Sequence, residues 1–524
     1  MMGCWVGTDD KNSSQYAVTM FQSGTVMPEK SYYLSNDSSM VALRESYKKY
    51  VATLFTLIGT PEADAKKAAD DILKLETEIA KSHKSMVELR DPIANYNKYA
   101  VADLPKLSPN LDWATIHANM GIKTDSVIVG QPNYYKKLSE LAKSTPLPIL
   151  KSKMKAAVLN HAAPYLSSGF ANAHFEFHEK TMNGRKEQEV RWKRMSGVVD
   201  GSLPELLGQA YVAKHFSPDA KKRMLELVGN LQKAFQARIE SLDWMSAETK
   251  KRANEKLGAI INKIGYPDKW KKYDDVIVKR DDFFANLISA NRHQWKEMTD
   301  KLGKPVDKTE WGMSPPTVNA YYNPGINEIV FPAGILQFPF FDFEADDAIN
   351  YGAIGAVIGH ELTHGFDDQG SLYDAQGNLN SWWTPEDRKK FEERTARLAA
   401  QYSSYPMLDG ELHVNGDLTL GENIADLGGV IMAFEAFKLT EQGKSGEKID
   451  GFTPEQRFFL SYAQVWRFKA TEEAIRTRIH TDPHSPGRWR VNGTLTNVPA
   501  FHKAFNVQPG DSLYRSDEEL VKIW

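Results

Sequence analysis

The chain has 524 residues, of which 41% are hydrophobic and 25% charged. That composition belongs to a globular protein of several domains and excludes a disordered or collagen-like chain. The 65 basic residues stand against 68 acidic ones, a net charge of −3, so no global excess points to nucleic acid or to an anionic membrane.

Met1 to Gly7 combines no basic segment with an apolar stretch, and no run of about eighteen apolar residues occurs anywhere. Neither a secretory signal nor a membrane span is predicted. Cys4, the single cysteine, reads as a chance residue beside Gly3 rather than a lipid acceptor. It excludes an intramolecular disulfide and a cysteine-built metal site, which leaves any metal to His, Asp and Glu. The first half is predicted to be helical. Tyr47, Val51, Leu54 and Ile58 recur at helical spacing and stop at Gly59. Thr60-Pro61 restarts a helix whose apolar face is Ala69, Ile72, Leu75 and Ile79. Met224, Leu227, Leu231, Phe235, Ile239 and Leu242 form a longer stripe. These stripes are core seams of a helical domain, and the lysine-rich runs between them are solvated faces. Beyond the turns at Gly265-Tyr266-Pro267 and Gly303-Lys304-Pro305, the pattern changes. Thr317–Tyr322 and Glu328–Phe331, around Asn323-Pro324-Gly325, are expected to be paired strands. Helical patterning returns near Ala348. The expected division is a mostly helical lobe over 1–280 and an α+β lobe over 281–524.

The segment Val357-Ile358-Gly359-His360-Glu361-Leu362-Thr363-His364 carries the chemistry. On a helix His360 and His364 are one turn apart and face the same way, so both imidazoles can reach one zinc ion at about 2.0–2.1 Å. Glu361 is placed to reach a metal-bound water without ligating the metal. The bland alternative is a pair of helix histidines making ordinary hydrogen bonds. A catalytic zinc takes three protein ligands, and the third must lie downstream. A continuation His-x-x-Gly-x-x-His is excluded, because Asp367 and Gly370 stand where its glycine and last histidine would be. The alternative is a carboxylate on a second helix, and Gly421-Glu422-Asn423-Ile424-Ala425-Asp426 offers two, one turn apart. One of them can bind metal while the other orients a histidine. Asp367, three residues after His364, is a candidate acceptor for that histidine's free ring N–H, or else a plain loop carboxylate.

Taken with Asn319-Ala320-Tyr321-Tyr322, Phe331-Pro332-Ala333-Gly334, His484-Ser485-Pro486, Arg490-Val491-Asn492-Gly493 and the closing Val521-Lys522-Ile523-Trp524, these motifs resemble the neprilysin family of zinc metallopeptidases. The resemblance is greatest to the bacterial oligopeptidase O branch and runs from about Trp5 to the C-terminus. It implies a mainly α fold with an α+β part: a thermolysin-like zinc lobe and a large all-helical lobe enclosing the active-site cleft. It implies one Zn²⁺, with His360, His364 and Glu422 as ligands, Glu361 as general base and Asp426 as assisting acid. His484 is implied to stabilise the transition state, with Arg490 beside it. Asn319 and Ala320 are implied to hold the substrate backbone, and Phe340, Val357, Val465 and Trp466 to form the apolar pocket after the scissile bond. The implied activity is cleavage of oligopeptides before hydrophobic residues, by Glu361-assisted attack of a zinc-bound water. A truncated homologue that binds peptides without cleaving them is the alternative.

Family members begin with a signal peptide or anchor and a helical segment ahead of the part that matches here. Relative to them the chain is expected to be shortened at its N-terminus, with a separate segment bound in trans as one potential partner. The family also implies a periplasmic, extracellular or cell-surface lipoprotein location in a bacterium. A monomer is expected, with neither nucleic acid nor a membrane-spanning segment among the partners.

Overall fold

The computed structural model describes all of residues 1–524. The chain opens with a hairpin, β1 (Gly3–Asp9) and β2 (Asn12–Phe21), turned at Asp9–Asn12. Then come α1 (Ser38–Leu57) and α2 (Glu62–Ala80). Helix α1 ends at Gly59, whose φ of +86° is the left-handed conformation that glycine tolerates best. Helix α2 carries Glu62 and Asp64 in its first turn, where acidic groups suit the helix dipole, and buries Ala65, Ala69, Ile72, Leu75 and Ile79 on one face. A 3₁₀ turn, Glu88–Arg90, leads to β3 (Lys98–Ala100) and β4 (Ser126–Val129), and α3 (Leu147–Ala162) follows. The strands form one sheet in the order β1-β2-β4-β3, with β2 and β4 parallel. The lobe expected to be all helical therefore also holds a small sheet. Two cores occupy this region, one drawn from residues 27–182 and one from residues 6–141. At the centre of the first, Glu76 and Lys153 form a fully buried ion pair. The Glu76 carboxylate also accepts from Tyr33 Oη at 2.5 Å, Tyr47 Oη at 2.7 Å and the Val26 N–H at 3.3 Å, which ties α1, α2 and α3 together.

The second lobe is built on α4 (Pro218–Ser241), where Ser217 caps the helix by accepting the Ala220 N–H. Its apolar stripe packs on a three-stranded sheet and two buried helices. The sheet has β5 (Ile261–Gly265) and β6 (Tyr321–Asn323) on either side of a fully buried β7 (Glu328–Pro332). β5 runs parallel to β7, and β6 antiparallel to it. Then come α5 (Ala356–His364), α6 (Leu420–Lys438), α7 (Pro454–Val465), α8 (Glu472–Thr481) and α9 (Gly487–Leu495). Residues 356–363 of α5 are all buried, so this helix has no face on the outer surface. It lies against α6 backbone to backbone: a Cβ on Gly359 would stand 2.6 Å from the Gly429 carbonyl oxygen, and one on Gly429 2.5 Å from the His360 nitrogen. One large core joins residues 212–264 to residues 320–524. Residues 212–264, expected in the first lobe, share this core with residues 320–524.

Candidate metal centre

Helix α5 places the His360 and His364 rings one turn apart, with their Nε2 atoms 3.0 Å from each other. Each ring is held from behind. His360 Nδ1 lies 2.8 Å from Asp426 Oδ1 on α6, and His364 Nδ1 lies 2.7 Å from Asp367 Oδ2 in the turn after α5. Asp367 is itself fixed, its Oδ1 accepting the N–H groups of Gln369 and Gly370 at 2.8 and 2.7 Å. With Nδ1–H donated to a carboxylate, each Nε2 keeps its lone pair for the shared point. Glu422, in the first turn of α6, brings Oε2 to 3.2 Å from His360 Nε2 and 3.6 Å from His364 Nε2. That oxygen is buried and accepts no hydrogen bond. An orphaned carboxylate oxygen facing two imidazole lone pairs is a poor arrangement for a protein alone and a suitable one for a divalent cation. Two histidines and a glutamate are a known catalytic zinc set, and the residues fit that ion.

Burial and the neighbouring His364 oppose protonation of His360, yet the Asp426 and Glu422 carboxylates raise its pKa overall. Burial works against ionised Glu422, but the surrounding imidazoles hold it well below the usual carboxylate range. Asp426 also stays low despite burial, because Arg490 grips it with Nε to Oδ2 at 2.8 Å and Nη2 to Oδ1 at 2.7 Å. Glu361 differs: burial, the largest influence, pushes its carboxyl up. His360, Glu361 and His364 present ligand atoms within 4.8 Å of one another.

A cavity of about 460 Å³ opens over this group. His360, Glu361, His364, Asp367, Glu422, His484 and Arg490 line it, together with Asn319, Ala320, Phe340, Val357 and Trp466. His484 comes from the loop after α8; Asp482 Oδ1 holds its Nδ1 at 2.8 Å, and its Nε2 lies 3.3 Å from Glu422 Oε2. The Arg490 guanidinium stacks 3.7 Å over the Trp466 ring, and its Nη1 has no protein hydrogen-bond partner. Two residues singled out from sequence stand off the cavity wall: Asp426 lies behind His360, and Val465, the last residue of α7, is not on the wall. Arg90, Tyr321, Tyr322, Ile335 and Gln369 line it and were not singled out. Ile335 and the tyrosines had a signal in the strand-rich run around β6 and β7, whereas Arg90 had none.

A buried His₂Glu set, a neighbouring carboxyl with a raised pKa and an open cavity define a metal-dependent hydrolase. Two models of peptidase family M13 match the chain, one over residues 1–267 and one over residues 319–521. The endothelin-converting enzyme homolog of Locusta migratoria is 35% identical over 97% of this chain and 72% of its own length. Among solved structures, the zinc metalloprotease Zmp1 of Mycobacterium tuberculosis in complex with inhibitor is 41% identical. It superposes with a TM-score of 0.96 over 100% of this chain and 80% of that one. The same enzyme in its open state gives a TM-score of 0.71, covering 100% of this chain and 82% of that one. PepO from Lactobacillus rhamnosis gives 0.91 at 28% identity over 100% of this chain and 82% of that one. The chain belongs to peptidase family M13 and is a zinc metalloendopeptidase of the neprilysin type. No helix in it is long and apolar enough to cross a membrane.

Proposed function

We propose that this enzyme hydrolyses internal bonds of oligopeptides on the amino side of hydrophobic residues, and that His360, His364 and Glu422 hold its zinc. The observation that carries the reading is the unsatisfied Glu422 Oε2 facing two oriented imidazoles. When bound, zinc supplies a Lewis acid that polarises the scissile carbonyl and acidifies water. Glu361 takes the proton of the attacking water and returns it to the leaving amine nitrogen; a carboxyl raised by burial suits both halves of that task. His484, braced by Asp482, donates to the oxyanion that develops on the carbonyl oxygen. Asp426 keeps His360 in one tautomer and anchors Arg490, whose free Nη1 donates to a substrate carbonyl. Asp367 does for His364 what Asp426 does for His360. Asn319 is exposed at the cavity edge and offers amide donor and acceptor to an extended backbone, beside the buried Ala320. Phe340, Val357 and Trp466, joined by Ile335, supply the apolar wall for the residue after the cut.

The working division we propose follows the cores rather than the chain order: a first lobe of about residues 1–182, and a catalytic lobe that includes residues 212–264. Zinc content measured beside cleavage of quenched fluorogenic peptides tests the function. The expected result is one zinc per chain, activity lost to a chelator and restored by zinc, and faster cleavage before Phe or Leu than before Asp. Full activity in metal-free protein would overturn it.

A further inference from the structure

Arg90 belongs to the first lobe, yet it is the one residue of that lobe on the wall of the catalytic cavity. The loop that carries it is braced to its own lobe. Gln22 and Lys84 exchange hydrogen bonds, at 2.8 Å from the Lys84 N–H to Gln22 Oε1 and 3.0 Å from Gln22 Nε2 to the Lys84 carbonyl. Asn95 donates to the Leu89 carbonyl at 2.8 Å and accepts from Gln131 at 3.2 Å. From that mount Arg90 Nη2 donates to Asp368 Oδ2 at 2.6 Å. With the Gln369 amide oxygen turned toward the guanidinium, Nη1 and Nη2 reach it at 3.0 and 3.1 Å, and the Gln369 amide N–H₂ donates to the Arg90 carbonyl at 3.0 Å.

Asp368 and Gln369 directly follow Asp367, the carboxylate that orients His364. The guanidinium also meets the other half of the metal set. A Cβ on Gly421, the residue before Glu422, would stand 3.0 Å from Asp368 Oδ1 and 3.1 Å from both Arg90 Nη2 and Asp367 Oδ2. Arg90, the Asp367–Gln369 turn and the start of α6 therefore converge on one spot. Other inter-lobe bonds, among them Ser13 N–H to Asn378 Oδ1 at 2.9 Å, Ser13 Oγ to the Gln376 carbonyl at 2.8 Å, the Leu379 N–H to the Asp10 carbonyl at 2.5 Å and Thr477 Oγ1 to the Met182 carbonyl at 2.9 Å, lie off the cavity wall.

We propose that Arg90 is a positioning residue that makes the geometry of the metal set conditional on the first lobe being seated. It acts through Asp368 and Gln369 on the turn that aims His364 and on the helix start that carries Glu422. Arg90 does not read substrate, because its guanidinium is already committed to two protein side chains. Without it, half-buried Asp368 is left next to Asp367 with no cation opposite. The proposal rests on the zinc set assigned above, so the wild-type chain is first shown to bind zinc.

The test uses Arg90→Ala, Arg90→Lys and Asp368→Asn in the full chain, with the Arg90→Ala/Asp368→Asn pair. Zinc affinity is read by competition with a chromophoric chelator, lobe arrangement by the radius of gyration in solution scattering, and turnover on a fluorogenic peptide. Arg90→Ala is expected to weaken zinc binding and to lower kcat, each by roughly 10–100-fold, with KM changed far less. It is also expected to increase the radius of gyration. Arg90→Lys, which keeps the charge but not the fork, should fall between wild type and alanine. The double variant should be little worse than the worse single one. Unchanged zinc affinity, a loss confined to KM, or strictly additive single effects would overturn the proposal. If Arg90→Ala does not fold, Arg90→Lys and Asp368→Asn are judged on zinc affinity and the KM-against-kcat split alone.

Discussion

Among the carboxylates that the molecule buries beside cationic groups, Glu76 and Glu422 are finished differently. In the first lobe Glu76 has every neighbour it needs: the Lys153 ammonium, two tyrosine hydroxyls and a backbone N–H. In the catalytic lobe Glu422 lies among His360, His364 and His484, yet its Oε2 accepts nothing. Both sites are expensive to bury, and only the first is closed by protein groups alone. Glu76 is closed as architecture, while Glu422, unsatisfied among three convergent imidazoles, is left open to something that is not protein.

That contrast predicts where damage falls. Glu361→Gln should retain zinc and thermal stability and lose peptide hydrolysis by roughly 10²–10⁴-fold, read as kcat on a fluorogenic peptide beside metal analysis. Retained activity in that variant would break the contrast at once. Glu76→Gln should do the reverse. It strands the Lys153 charge in the first-lobe core and should destabilise the protein by about 3–5 kcal/mol in denaturant titration, with activity per folded molecule little changed. His484→Ala should lower kcat by roughly 10²–10³-fold, about 2.7–4 kcal/mol of transition-state stabilisation, and leave KM nearly unmoved. The smallest effect concerns pH. Burial, then the charge of His174, holds His178 down at about 4, against an ordinary value of 6.5. Between those values the unfolded chain binds a proton that the folded chain refuses, so stability should fall as pH drops from about 6.5 toward 4. Denaturation midpoints across that range should show the slope, and His178→Phe should lessen it.

Much of this was legible from residue order. The stripe from Ala69 to Ile79 and the one from Met224 to Ile239 are buried as their spacing predicts, because a helix repeats its face every three to four residues whatever it packs on. Ile58 kept the pattern and broke the rule: it follows the last residue of α1 and is exposed. The opening hairpin was missed although Tyr16–Phe21 is rich in strand formers, because a helical reading of the whole first half absorbed it. The His-Glu-x-x-His spacing places two side chains on one helical face by geometry alone, and that face is where the rings meet. Arg90 was beyond reach. It meets its partner across 278 positions of sequence, and an arginine ahead of Asp-Pro looks like any surface arginine. That residues 212–264 share a core with residues 320–524 was hidden for the same reason, since a helix stripe says that a face is buried but not against what.

The backbone contact between Gly359 and Gly429 also bears on which ion the site will accept. Where two helices touch through glycines, their separation is set by peptide groups, which do not change rotamer or compress. That contact lies one residue from His360, and Glu422 is carried by the same pair of helices. On the ligand set proposed above, the donors hang from helix backbones held at a fixed separation, which favours a site of narrow opening over a flexible claw. Such a site should discriminate by ionic radius and coordination number, accepting small tetrahedral cations and refusing calcium, which seeks six to eight oxygens at about 2.3–2.6 Å.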